Sequence, residues 1–132
     1  SDGELALLFL AYLVDARDME LGGKWISEKE VPGGSLFFTG PHKMPVDGIA
    51  GKYGTAPKGL VTKALVFGGT ALEYGDASVA FKALPRIPLA FVLWEEDDEF
   101  PAEVTVMFDE TIHRHIPVDV ILALVSSVVK FL

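Results

Sequence analysis

The sequence predicts an α+β fold, in which an antiparallel meander from Ala77 to Phe108 packs with helices near the N-terminus, in the middle and at the C-terminus. Three observations carry that reading. Val79, Phe81 and Ala83 alternate with Ser78, Ala80 and Lys82, the period of a half-buried strand. Ile87 to Trp94 is apolar without alternation apart from Pro88, as a central strand covered on both faces would be. Val118, Ile121, Leu122, Val125, Val128, Val129 and Leu132 recur at helical spacing, which predicts a helix from Pro117 lying against the sheet.

The remaining elements follow from local signals. Asp2 is placed to cap a helix whose interior, Leu5 to Val14, is apolar on nearly every side, as in a buried or interfacial helix. Arg17 to Gly23 reads as a solvated loop and Lys24 to Ser27 as a short strand. Pro32-Gly33-Gly34 is a turn signal, and Ser35 to Phe38 follows as a second candidate strand. Pro45 to Tyr53 reads as a short helix stopped by Gly54. Thr55 is the expected cap of a further helix with Pro57 in its first turn, a stripe of Leu60, Val61, Ala64 and Leu65, and Gly68-Gly69 as its stop. Pro85 ends the first meander strand, Glu95 to Glu99 forms an acidic turn with Phe100-Pro101 folding back over the core, and Glu103 to Phe108 alternates again.

The 132 residues are read as one domain, and a start at Ser1 with an apolar finish at Phe131-Leu132 is compatible with a piece of a longer chain. The run Leu5 to Val14 falls far short of the roughly twenty apolar residues that cross a bilayer. The acidic start Ser1-Asp2-Gly3-Glu4 is unlike a secretory signal, so a cytoplasmic location is expected. The chain has no cysteine, which removes disulfides, thiolate metal sites and thiol nucleophiles together. Nineteen acidic against eleven basic residues give a net charge of −8, which repels phosphate backbones and anionic lipid, so no nucleic-acid or membrane partner is expected.

Gly75-Asp76-Ala77, Leu84-Pro85-Arg86-Ile87-Pro88, Leu93-Trp94-Glu95, Asp98-Glu99-Phe100-Pro101-Ala102, Phe108-Asp109 and a helix after Ile116-Pro117 together form a pattern. The pattern resembles an uncharacterised prokaryotic family, DUF3786, and Pro32-Gly33-Gly34 and Gly68-Gly69 fit it upstream. The resemblance implies a family common in anaerobes, some of whose members carry an added iron–sulfur segment. This cysteine-free sequence departs from that arrangement.

Several residues invite chemistry. The run Glu95 to Glu99 lacks the glycine and spacing of a calcium loop and reads as a solvated turn. His113 and His115, two apart on a segment read as extended, share one face there and with Asp109 or Glu110 make a two-histidine, one-carboxylate metal set, against the plainer reading of surface histidines before a helix. Arg86, between Pro85 and Ile87-Pro88, needs a carboxylate and Asp76 is the natural partner, either as a structural ion pair or as an anion-binding pair at a pocket mouth. Trp25, Trp94, Tyr12, Tyr53 and Tyr74 line an aromatic pocket or belong to the core. No phosphate loop, dinucleotide fingerprint or nucleophile elbow occurs.

No catalytic set is identifiable and no cofactor is assigned. The favoured reading is a binding or accessory module, acting through protein contacts, as a homo-oligomer or with a partner on the Leu5–Val14 helix, or through a small ligand held against the meander. The alternative is a metal-dependent protein or enzyme using His113, His115 and a nearby carboxylate.

Overall fold

A computed structural model describes residues 22–83 and 87–132 of the chain. Five strands, β1 (Trp25–Ser27), β2 (Thr70–Leu72), β3 (Ala77–Ala83), β4 (Ile87–Trp94) and β5 (Glu103–Asp109), form one antiparallel sheet in the order β1-β5-β4-β3-β2. The expected meander is its centre, and the unbroken apolar run β4 is the middle strand. The described residues also form four α-helices, α1 (Gly34–Phe37), α2 (Asp47–Tyr53), α3 (Pro57–Val66) and α4 (Val118–Val129), and short 3-10 turns at Glu28–Glu30, Gly40–His42 and Ile112–Arg114.

The register assigns each strand residue to a face. Phe91 pairs with Val79 and Val106, and Leu89 with Phe81 and Phe108, so these side chains share one face with Ile26, Ile87 and Leu93. That face packs against Ile49 of α2, Leu60 and Ala64 of α3, and Ile121, Leu124 and Val125 of α4 in one continuous core. Burial of this apolar surface is the main force holding helices to sheet. Ser78, Ala80, Ala90, Val92, Trp94, Thr105, Met107 and Trp25 point the other way. Among the buried apolar side chains, Ala90 (1 % exposed) and Val92 (5 %) alone stand outside the core cluster. The two faces of the sheet are therefore covered differently.

Several local expectations are corrected. Ser35 to Phe38 is not a strand: Gly33 takes a left-handed φ of 79°, and Phe37 and Phe38 donate their amides to Gly33 and Gly34 carbonyls, closing the turn α1. A four-residue apolar run has too little length to reveal its period. Ala56, not Thr55, occupies the cap position of α3, with Pro57 as first residue, and Leu65 is 55 % exposed although Leu60 and Ala64 are fully buried. The acidic turn is solvated as expected, with Asp97 Oδ1 accepting the Glu99 and Phe100 amides at 2.9 and 2.8 Å, but Phe100 is 67 % exposed and covers nothing. The edge strand β2 is too short to show alternation and went unpredicted. The Leu5–Val14 helix and the end of the first meander strand at Pro85 lie outside the described residues.

Phe91 sits where the core face is best packed. Phe91→Ala is expected to cost about 3–5 kcal/mol, whereas Ala80→Ser on the opposite face costs less than about 1 kcal/mol. Urea unfolding monitored by circular dichroism checks both, and equal small losses would show that the helices do not cover the face holding Phe91.

Candidate functional site

The face of the sheet that carries Val92 and Trp94 holds a groove of about 550 Å³. Its floor is Val92, Thr105 and Met107, and its walls are Trp25 at one side and Tyr74 and Trp94 at the other. A volume in this range accommodates a small organic ligand. Trp94 and Tyr74 are 49 % and 53 % exposed, leaving aromatic surface at the rim. Trp25 and Trp94 are the two tryptophans of the sequence, and both line this one depression.

Two carboxylates hold the rims. At the Trp25 side, Asp109 is buried at the end of β5; its Oδ1 accepts the Gly23 amide at 3.0 Å, and its Oδ2 accepts the amides of Gly22 at 3.1 Å and Thr111 at 3.0 Å together with the Thr111 hydroxyl. Burial pushes this carboxyl up, but the Thr111, Gly22 and Gly23 donors favour its ionised form and outweigh that, holding it below the ordinary carboxylate value. A Cβ at Gly22 would sit 2.3 Å from Glu110 Cγ, so a larger residue there would displace that side chain. The segment 22–24 is thereby pinned beside β1, with Lys24 on the lip of the groove.

At the other side the loop between β2 and β3 folds over the sheet. The fully buried Ser78 Oγ accepts the Tyr74 amide at 2.9 Å, and Asp76 Oδ2 accepts the Glu95 amide at 2.7 Å while its own amide donates to Leu93 at 2.9 Å. Gly75, with φ of 57°, lies so close to β4 that a Cβ would meet Val92 Cγ1 at 2.8 Å. Tyr74 and Gly75 become the wall of the groove for that reason.

The residues singled out in the sequence are thus distributed in a definite way. Asp76 is exposed and bonded to backbone, and Arg86 lies outside the described residues. His113 and His115 are not on extended chain: His113 is an exposed member of the 3-10 turn, and His115 is its buried C-terminal neighbour, with Nε2 3.3 Å from the Thr111 hydroxyl. Among the described residues no three histidine or carboxylate side chains are grouped so as to hold a metal ion, and Asp109 spends its oxygens on backbone donors. Trp25, Trp94 and Tyr74 do line one pocket, whereas Tyr53 donates its hydroxyl to the Leu132 main-chain oxygen at 2.6 Å and Tyr12 lies outside the described residues. Sequence reasoning missed Lys24, Thr105 and Met107. The available signal was pairing register, since positions opposite Val92 and Ala90 on β5 share the face of Trp94.

Asp109→Asn should destabilise the domain by about 1–3 kcal/mol at neutral pH, because the amide nitrogen faces donors it cannot accept from. With a folded pKa below its unfolded value, Asp109 contributes stability present above the unfolded value, roughly pH 4, and lost as pH falls through the folded one. The variant should therefore lose less stability than the parent on acidification below about pH 4. Parallel acid dependence in thermal melts of the two proteins would contradict this.

No curated protein and no solved structure matches the chain. The model of the family described as "Domain of unknown function (DUF3786)" matches residues 1–131, and the chain belongs to that family.

Proposed function

We propose that this domain is a binding module that holds a small, largely apolar molecule in the groove on the open face of its sheet. The observation that carries the reading is the gathering of both tryptophans, Tyr74, Val92 and Met107 around one depression whose two rims are fixed by backbone hydrogen bonds. Aromatic side chains with few rotatable bonds, placed on a rigid sheet, bind flat molecules at low entropic cost. A cytoplasmic setting belongs to this reading and is supported by the acidic start Ser1-Asp2-Gly3-Glu4, which is unlike a secretory signal; no helix among the described residues is long and apolar enough to cross a membrane.

Thr105 stands in the floor of the groove and its replacement fills the space without touching the core face. Calorimetric titration with the neutral ring compound 2-naphthylmethanol should show binding that Thr105→Phe weakens by about tenfold or more, with an unchanged circular dichroism spectrum. Equal affinity in the filled variant would refute the site.

A second reading, contact with a partner or a second copy through Leu5 to Val14, is favoured by ten uninterrupted apolar residues in that segment. If such contact makes a dimer, Leu7→Glu with Leu10→Glu should give a soluble monomer by light scattering, each buried leucine contributing about 1.5–3 kcal/mol. A parent protein that is monomeric at high concentration contradicts this second reading and leaves the groove reading intact.

A further inference from the structure

The geometry points to an aromatic carboxylate, a flat ring system bearing one anionic group, as the occupant of the groove. This rests on the groove being a ligand site and adds which chemistry it selects. The protein is acidic overall, nineteen acidic residues against eleven basic, yet none of the described residues lining the groove is acidic and one, Lys24, is cationic. The two rim carboxylates, Asp109 and Asp76, accept main-chain amides and are not among the lining residues.

Of the polar side chains that line the groove, three are donors only and two are hydroxyls that donate or accept. The Lys24 ammonium and the Trp25 and Trp94 indole N–H groups are donors only, and the hydroxyls of Thr105 and Tyr74 can donate. Among the described residues Lys24 has no carboxylate partner and the half-buried Thr105 hydroxyl has no hydrogen-bond partner. Asp109, which lines a small neighbouring cavity with Lys24, directs its oxygens to the Gly22, Gly23 and Thr111 donors. A ligand with a ring for the tryptophans and an acceptor-only head for Lys24 satisfies both features. A purely apolar ligand leaves these donors without a role, and a cationic one faces Lys24.

Three probes of one ring system separate the ideas: 2-naphthoate, 2-naphthylmethanol and 2-naphthylmethylamine, titrated by calorimetry into the full chain. The expected order places the carboxylate about five- to tenfold tighter than the alcohol and the amine weakest of the three, because one partly solvated ion pair contributes on the order of 1 kcal/mol. Lys24→Gln should bring the carboxylate to the affinity of the alcohol measured on the same variant, and Lys24→Arg should restore the preference. Lys24 is exposed, so neither change disturbs the core. Binding of the alcohol or the amine as tight as that of the carboxylate, or a preference that survives Lys24→Gln, overturns this inference with the groove site intact. Failure of all three probes to bind overturns the site itself and this inference with it.

Discussion

An antiparallel sheet has two faces to keep from water, and the helices described in this protein pack on one of them. That asymmetry governs the rest of the structure. The run Ile87–Trp94 is apolar on both sides because it is the middle strand, and its two sides meet different needs. Ile87, Leu89, Phe91 and Leu93 are closed over by α2, α3 and α4 in a continuous core. On the far side Val92 lies against the Gly75 backbone, and neither it nor Ala90 belongs to that core. What the described residues leave there is an apolar depression with aromatic walls.

The depression persists because its edges are built from polar interactions that do not depend on its contents. Asp109 and Asp76 perform the same task at opposite sides: each carboxylate accepts main-chain amides and thereby fixes a loop that would otherwise be free to collapse or swing away. Asp109 does so from a buried position, where four donors compensate for the lost water. Ser78, a polar residue with no exposed surface, completes the second rim by accepting the Tyr74 amide.

How much of this could be read from the sequence depends on the range of the interaction. The meander and the C-terminal helix were legible because their periods extend over seven residues or more, as Val79, Phe81 and Ala83 or Ile121, Val125 and Leu132 illustrate. Ser35 to Phe38 misled because four residues fit a strand and a helical turn equally well. Trp25 and Trp94 stand far apart in the chain, and only the pairing of β1 and β4 to either side of β5 brings them to one groove. Asp76 and Asp109 stood out as carboxylates beside an arginine and two histidines, and sequence reasoning assigned them side-chain or metal partners. Backbone amides leave no mark in a sequence, so bonds of the kind these two residues make are invisible at that level.

The central claim is that the groove, and not the helical layer, receives a ligand. The most direct measurement is a proton–nitrogen correlation spectrum of uniformly labelled protein during titration with 2-naphthoate. The account predicts that both indole N–H signals, of Trp25 and Trp94, shift in step with the Gly75 amide and with the same apparent affinity, while the amides of α4 stay in place. Shifts concentrated in α3 and α4 with the two indole signals unmoved would contradict it.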